Sequence, residues 1–332
     1  MSVEVDVLVV GAGPSGLYGA YYAGFRGLSV AIVDALPEAG GQVTALYPEK
    51  MIYDIAGFPA VRGKDLVENL VNQCSPFAPT WLLGESAVGY SDEGSAVVIT
   101  LASGTVVRAK AVVVTGGIGT FSPRPLPGAD QWVGRGLEYI VPTYLPYAGK
   151  DVVVVGGGDS AVDWALGLEG VARSVALVHR REEFRAHAHS VKLLKDSSIE
   201  VVTPVSPVSL NGGDVLESLT VRDVKTKESR DLPAQAVVAA LGFTADISAL
   251  ESWGLATSDR HLVVDTRMQT NLPRVYAAGD ITEYPGKVRL ISVGFGEAAT
   301  AVNNAATVID PEATVFPGHS TEQLEGTPVS AA

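Results

Sequence analysis

Two glycine-rich turns hold the residues of this chain that could do chemistry. The first is Gly11-Ala12-Gly13-Pro14-Ser15-Gly16 and the second is Gly156-Gly157-Gly158-Asp159-Ser160-Ala161. Glycines in such a turn permit a tight bend and let the backbone approach a phosphate, and the helix that follows offers unpaired N–H groups. Each turn is therefore a candidate pyrophosphate site, although a lone pattern of this kind also occurs where helices simply pack closely.

An acidic residue follows the first turn at the end of the next apolar run. Residues 28–33 form that run, and it ends at Asp34, 18 residues beyond Gly16. A carboxylate at this place can accept both hydroxyls of a ribose, and it would repel a 2′-phosphate. The first turn is therefore predicted to bind FAD or NAD and not NADP.

Basic residues stand at the equivalent place after the second turn. The run Ser174–Val178 leads into His179, Arg180 and Arg181, with Arg185 close behind. Guanidinium groups bind phosphate through charge-assisted and often bidentate hydrogen bonds. The second turn is therefore predicted to bind NADPH, with a solvated basic face as the alternative interpretation, above all for His179.

Parallel sheets must position both turns. The apolar runs 5–10 and 151–155 enter them, and continuous Val-rich runs are typical of strands covered on both faces. The predicted fold class is α/β, with two nested Rossmann-like dinucleotide-binding domains. A Pro-rich stretch at 121–128 and a break at 241–244 indicate that one domain is inserted into the other. The predicted bounds are 1–119 and 244–332 for the FAD domain and 120–243 for the NADPH domain.

The chain after the second break completes the first domain. Residues 274–278 predict a strand that ends at Gly279 and Asp280, and a glycine-rich turn at 292–296 is expected to open a helix near Glu297. From about residue 311 the sequence has no periodicity, which predicts a loop or a cover.

Composition excludes several classes of function. The chain has 24 Lys and Arg against 37 Asp and Glu, a formal net charge of −13, which argues against a nucleic-acid partner. Neither a signal peptide nor an apolar run of membrane-spanning length is apparent, so a cytoplasmic protein without membrane contact is expected.

Cys74 is the one cysteine and cannot form an intrachain disulfide. It is predicted to be a packing residue, with a reactive thiol as the alternative.

With these two units and a closing Gly279-Asp280, the sequence resembles the low-molecular-weight thioredoxin reductase family over nearly its full length. Those enzymes carry a CxxC dithiol just before the second glycine turn, where this chain has residues 136–141 without cysteine. The chain is more similar to the thioredoxin reductase-like ferredoxin–NADP reductases. The resemblance rests on residues 40–50, 53–59, 157–165 and 319–321 and on the basic motif 179–185.

The resemblance implies contact residues for both cofactors. It implies that Tyr47 stacks on one face of the flavin and His319, in the tail, on the other. The implied FAD contacts are Gly11, Gly13, Pro14, Ser15, Gly16, Asp34, Gly41, Gln42, Tyr47, Asp54, Ala87, Phe121, Gly279, Asp280 and Thr321. The implied NADPH contacts are Gly156, Gly157, Gly158, Asp159, Ser160, Ala161, His179, Arg180, Arg181 and Arg185.

The function implied by the resemblance is that of a homodimeric ferredoxin–NADP reductase. Hydride would pass from NADPH to FAD, and single electrons would pass on to ferredoxin or flavodoxin. No catalytic acid, base or metal is expected, since the flavin carries the chemistry. The alternatives are an NADPH-dependent flavin oxidase, a disulfide reductase that uses an external dithiol, and a non-enzymatic redox sensor. An acidic ferredoxin would also need a local basic surface, whose position the sequence does not indicate.

Overall fold

The computed structural model describes residues 2–117 and 119–319, without the side chains of Thr120, Phe121 and Ala245. The chain divides into two compact units. The first unit contains the residues up to 45, 51–120 and those from 245 onward, and the second contains 46–50 and 121–244. The short segment 46–50 was not expected in the second unit, and nothing in its composition sets it apart.

Most strands and helices of the first unit precede the second unit in the chain. A 3-10 turn at Ser75–Phe77 follows the third helix. In chain order the elements are β1 (Ser2–Val10), α1 (Pro14–Phe25), β2 (Val30–Asp34), α2 (Gln42–Leu46), β3 (Met51–Ile52), β4 (Val61–Arg62), α3 (Gly63–Cys74), β5 (Thr80–Leu83), β6 (Ala87–Asp92), β7 (Val97–Leu101) and β8 (Val106–Val114).

The second unit follows in the chain. Its first and last strands, β9 and β18, pair with each other as a two-stranded sheet at the place where the chain passes between the units. The elements are β9 (Thr120–Pro123), β10 (Leu137–Glu138), β11 (Asp151–Val155), α4 (Asp159–Glu169), β12 (Ser174–Val178), α5 (Ala188–Lys195), β13 (Glu200–Val202), β14 (Val205–Gly212), β15 (Leu216–Asp223), β16 (Ser229–Pro233), β17 (Ala236–Ala239) and β18 (Phe243–Asp246). The first unit is completed by α6 (Ser248–Glu251), β19 (Thr257–Ser258), β20 (His261–Val263), β21 (Val275–Ala277), β22 (Thr282–Glu283) and α7 (Ile291–Ile309).

The main sheets of the two units share one layout. The first has the order β5-β2-β1-β8-β7-β6, in which β21 also pairs with β8 in parallel, and the second has the all-parallel order β13-β12-β11-β17-β10. Val7, Leu8 and Val9 of β1 are fully buried, because helices and loops cover both faces of the sheet. The predicted α/β class with two nested dinucleotide-binding units is confirmed.

Helix α7 begins earlier than the sequence indicated. Residues 292–296 were expected to form a turn before the helix, but they lie in its first two turns, since α7 starts at Ile291. A Cβ on Gly294 would lie 2.3 Å from Ser15 Oγ, so this glycine lets α7 approach the start of α1 instead of bending the chain. Gly294 thus serves close packing of two helices, which a local pattern does not distinguish from a turn.

No helix in the described ranges is long and apolar enough to cross a lipid bilayer.

Candidate functional site

The first glycine turn lies at the carboxyl end of β1, between the ends of β2 and β8. This is the place where strand order reverses and where open parallel sheets bind ligands. Gly11 has φ +117, and a Cβ on it would lie 2.5 Å from the Thr115 carbonyl oxygen. A Cβ on Gly16 would lie 1.9 Å from the Gly11 oxygen, but one on Gly13 would meet no protein atom within 4 Å. Two of the glycines are thus required by the fold, whereas Gly13 faces open space.

Helix α1 begins directly at this turn. Pro14 is its first residue and Gly13 its N-cap, and no side chain caps the helix. The N–H groups of its first turn, including that of Ser15, have no partner within the helix. They form a donor surface beside the open space at Gly13, which suits an anionic group.

Asp34 ends β2 next to the turn. Its Oδ2 accepts a hydrogen bond from the Ala12 N–H at 2.6 Å, and its Oδ1 accepts one from the Leu36 N–H at 2.8 Å. Burial raises the pKa of Asp34, and these two backbone donors oppose that rise. A carboxylate has about four lone-pair positions. Asp34 therefore holds the turn in place and keeps acceptor capacity for further donors.

Gly41 and Gln42 close the turn from another side. A Cβ on Gly41, whose φ is +55, would lie 3.0 Å from Gly13 Cα, so the two backbones lie in close contact. Gln42 begins α2, and its Nε2 would be 2.6 Å from a Cβ on Gly117, at the end of β8. The resemblance assigned both residues to FAD, and the structure places Gly41 at the first turn and the Gln42 side chain beside Gly117.

The turn after β21 meets the first turn as well. Gly279 has φ +81, and a Cβ on it would lie 2.8 Å from Ser15 Oγ. Burial raises the pKa of the neighbouring Asp280, and the charges of Lys287 and Arg289 oppose that rise. Asp280 is thus a second partly buried carboxylate at the same site.

The other residues that the resemblance assigned to FAD lie less close to the turn. Tyr47 is half-buried just after α2, within the segment 46–50 of the second unit. Asp54 is exposed, and its backbone carbonyl accepts a hydrogen bond from Ser292 Oγ. Ala87 starts β6, two residues after Glu85, whose N–H binds the Asp34 carbonyl.

Phe121 and the tail residues His319 and Thr321 are described only in part by the structure. Phe121 lies in β9 without a described side chain. The exposed His319 ring lies against the Phe316 ring, and Thr321 is outside the described residues. Contacts of Tyr47 and His319 with a flavin remain predictions.

The second glycine turn repeats the geometry of the first at the end of β11. A Cβ on Gly156 would lie 2.5 Å from the Ala240 oxygen, and Gly158, the N-cap of α4, again faces open space. Ala161 stands where the first turn has its third glycine. A Cβ added to Gly156 would lie 2.8 Å from the Cβ of Ala161. The Asp159 side chain accepts a hydrogen bond of 2.8 Å from the backbone N–H of His187. Asp159 and Ser160, the first residues of α4, offer backbone donors towards the open side.

A basic loop folds back over this turn. The Arg185 N–H donates to the Gly157 oxygen at 2.8 Å, and a Cβ on Gly157 would lie 2.3 Å from the His179 ring. Arg180, Arg181 and Arg185 are exposed, and none has an ion-pair partner in the part of the chain that the structure describes. Three unpaired guanidinium groups therefore belong to the loop that folds over the turn.

The pKa of His179 reports the positive field at this turn. Burial lowers the pKa of His179, and the charges of Arg180, Arg181 and Arg185 lower it further. The ring stacks on Phe184, with centroids 5.5 Å apart, and its buried Nε2 has no hydrogen-bond partner in the described chain. His179 is therefore partly buried beside the second turn, and its role in binding NADPH stays a prediction.

Sequence patterns did not indicate a buried network behind Gly279. Glu297 of α7 accepts the Gly279 N–H and binds Lys287 Nζ, and both side chains are almost fully buried. Lys287 stands in a loop and Glu297 in a Gly- and Ala-rich helix, and neither local pattern predicts an ion pair, so only their tertiary contacts identify them. In the described chain no cluster of His, Cys, Asp and Glu could hold a metal ion.

Two sheets of one layout, each with a glycine turn at its central strand, define a protein with two dinucleotide-binding units. The chain belongs to the pyridine nucleotide-disulphide oxidoreductase family, whose profile matches residues 5–305. It is 62% identical to a ferredoxin–NADP reductase of Nocardioides sp., over 97% of this chain and 98% of that protein. It is 60% identical to one of Frankia alni, over 95% and 98%.

A solved structure supports the fold. Thioredoxin reductase of T. acidophilum has a TM-score of 0.79 at 24% identity, over 93% of this chain and 98% of that one. Despite the family's name, this chain has one cysteine, and it is buried. A redox-active cysteine pair within the chain is therefore excluded.

Proposed function

We propose that this chain is a ferredoxin–NADP reductase with FAD in the first unit and NADPH in the second. The observation that carries the proposal is a difference in charge between two copies of one turn. Asp34 faces the first turn, whereas the unpaired Arg180 and Arg181 face the second. The relatives named ferredoxin–NADP reductase, at 47–62% identity over nearly the whole chain, support the choice of electron partner.

Both cofactors fit the residues present. The open spaces at Gly13 and Gly158 would admit a pyrophosphate that any side chain there would displace. At the first unit, Asp34 and Asp280 would bind hydroxyl groups of FAD. At the second, Arg180, Arg181 and Arg185 would bind the 2′-phosphate of NADPH. When bound, FAD accepts hydride from NADPH and passes single electrons to a one-electron carrier.

The residues of this chain bind and orient and do not transfer protons. The His179 ring beside the second turn is stacked on Phe184, and Cys74 is fully buried, with its pKa raised to about 11 by burial. A single buried cysteine cannot relay electrons from the flavin as a dithiol. The proposed acceptor is a separate one-electron protein: ferredoxin, which the names of the relatives support, or flavodoxin as a second partner.

We further propose a homodimer in the cytoplasm. A half-buried aromatic surface on α1, formed by Tyr18, Tyr21, Tyr22 and Phe25, supports self-association. Phe295 of α7 extends it, with its ring 5.2 Å from that of Tyr18. Light scattering on the purified chain would test the state, and a monomer at micromolar concentration would contradict it.

The decisive experiment is reduction of cytochrome c by NADPH with and without added ferredoxin. We expect a yellow protein that releases FAD, and a rate that depends on ferredoxin. Release of FMN would contradict the assignment of the first turn. Rapid NADPH consumption with oxygen and no dependence on ferredoxin would favour an oxidase, and dependence on an added dithiol protein would favour a disulfide reductase.

A further inference from the structure

A buried ion pair lies directly behind the turn that carries Asp280. Lys287 Nζ is 2.6 Å from Glu297 Oε1 and 2.7 Å from Oε2, and its side chain is 1% exposed. Glu297 is 5% exposed. The Tyr284 hydroxyl donates to Glu297 Oε1 at 2.5 Å. A charge pair this deep in the fold is costly to desolvate, and it contributes to stability only weakly compared with an apolar pair of similar volume.

Both polar groups of Gly279 are bound to this network. The Gly279 N–H donates to Glu297 Oε2 at 2.7 Å. The Gly279 carbonyl oxygen accepts from Lys287 Nζ at 3.0 Å and from Thr282 Oγ1 at 2.8 Å. The residue therefore has no backbone freedom to turn its peptide groups towards a ligand.

The hydrogen bonds to Gly279 also fix the orientation of the peptide bond between Gly279 and Asp280. The bond between Gly279 and Asp280 is trans and planar, so the Asp280 N–H points away from the Gly279 carbonyl and from Lys287. That N–H finds no acceptor in the described chain. Asp280 thus presents an unpaired N–H donor on the side of the peptide opposite the Gly279 carbonyl, and its carboxylate, on the same residue, is partly buried.

We infer that Lys287 and Glu297 are positioning residues for FAD, because their ion pair fixes the Gly279-Asp280 peptide with the donor and carboxylate of Asp280 aimed at the flavin nucleotide. The inference rests on the proposed function of the first unit. Neither side chain has more than a trace of exposed area with which to bind the cofactor directly. Each acts through the backbone of Gly279.

The same segment contains a matched control. Arg289 pairs with Glu283 at 2.7 Å, but the two side chains are 38% and 33% exposed. Lys287→Met and Arg289→Met each remove one positive charge within ten residues of Asp280, and only the first removes a bond to the Gly279 carbonyl. A difference between the two variants therefore measures positioning and not net charge.

The measurement is the dissociation constant of FAD from the apoprotein, followed by quenching of flavin fluorescence. We expect Lys287→Met to weaken FAD binding at least about tenfold, the loss of one charged hydrogen bond, and Arg289→Met to change it less than about twofold. Wild-type affinity in a folded Lys287→Met protein would overturn the inference. Failure of the wild-type apoprotein to bind FAD would instead overturn the proposed function.

Lys287→Met leaves a carboxylate buried without its cation, so a second variant separates positioning from folding. Lys287→Met/Glu297→Gln removes both charges and keeps an amide oxygen for the Gly279 N–H. We expect its unfolding midpoint to return towards that of the wild type while FAD binding stays weak. Recovery of wild-type affinity in this variant would show that the pair only supports the fold.

Tyr284→Phe keeps the test decisive if both Lys287 variants fail to fold. It deletes one hydroxyl donor to Glu297 and leaves the ring in place. We expect FAD binding to weaken about three- to tenfold. An unchanged dissociation constant would overturn the inference.

Discussion

The charge of one or two side chains at each turn sets the nucleotide preference that we propose. Asp34 accepts hydrogen bonds from the Ala12 and Leu36 amides, and these two bonds fix its carboxylate beside the turn. Arg180 and Arg181 are exposed and unpaired in the described chain, so their hydrogen-bond donors are free for a phosphate. The neighbouring Glu182 is neutralised by Lys225, and the loop keeps its positive charge.

Replacing Arg180 and Arg181 by Ala is expected to separate NADPH from NADH. Each charge-assisted bond contributes roughly 1.5–3 kcal/mol, so the KM for NADPH is expected to rise by about two to four powers of ten. The KM for NADH and the FAD content are expected to stay unchanged, because neither involves a 2′-phosphate.

Steady-state kinetics with both nucleotides measure this effect. Arg173→Ala is the control, since Arg173 pairs with Asp151 at the amino end of the same sheet. Equal losses for NADPH and NADH would mean that the arginines support the fold. No loss for either would place the 2′-phosphate elsewhere.

Cys74 is expected to be inert in the native protein. Its side chain is fully buried and its pKa is raised from 9.0 to about 11, so about one thiol in a thousand is ionised at pH 8. Because the folded pKa lies above the unfolded one, the protonated thiol favours the folded state, and this contribution is lost as pH rises from about 9 to 11. Iodoacetamide at pH 8 should leave flavin reduction by NADPH intact and should label Cys74 only after unfolding in urea. Inactivation of the native protein by one label would contradict this.

At the scale of the elements, the two turns show which glycines serve the fold and which serve a ligand. Gly16 lies against the Gly11 carbonyl, whereas Gly13 has ordinary helix-cap torsions and open space around it. A substitution at Gly16 thus changes packing between α1 and β1. One at Gly13 changes only the space outside the protein.

Gly13→Ala is expected to give a folded apoprotein with a normal unfolding midpoint and weak FAD binding. Gly16→Ala places a methyl group 1.9 Å from the Gly11 oxygen and is expected to destabilise the first unit by several kcal/mol. Thermal unfolding and FAD titration of both variants check this. Gly158→Ala is the counterpart in the second unit, and it should weaken the binding of NADPH while leaving the affinity for FAD unchanged. Full FAD affinity in Gly13→Ala would show that the pyrophosphate does not approach this turn.

The sequence predicted the sheets and turns well because buried Val-rich strands and glycine turns are local patterns. It predicted α7 with the wrong start, since Gly294 serves helix packing, which depends on the distant Ser15. It missed Lys287 and Glu297 for the same reason. A buried ion pair between a loop and a helix leaves no periodic signal, and only the tertiary fold brings the two charges together.

At the scale of the whole molecule, negative charge is unevenly distributed. The first unit has ten Lys and Arg against 21 Asp and Glu, and the second has 14 against 16. The unit that we propose to hold FAD is thus strongly acidic, and the unit that we propose to bind NADPH is nearly neutral. The two proposed partners of the enzyme therefore approach surfaces of different charge.

Ionic strength is expected to act in opposite directions on the two half-reactions. Salt screens exposed charges over a Debye length of about 10 Å at 0.1 M. An acidic ferredoxin that approaches the first unit is slowed by like charge, so its rate of reduction should rise severalfold as salt increases from about 0.01 to 0.2 M. NADPH binds through exposed guanidinium groups, so its KM should rise over the same range. Stopped-flow flavin reduction isolates the NADPH step, and a neutral quinone acceptor controls for effects of salt on the flavin itself. A ferredoxin rate that falls with salt would instead reveal a local basic docking surface, and its arginines and lysines could then be located by charge-reversal variants that restore the rising profile.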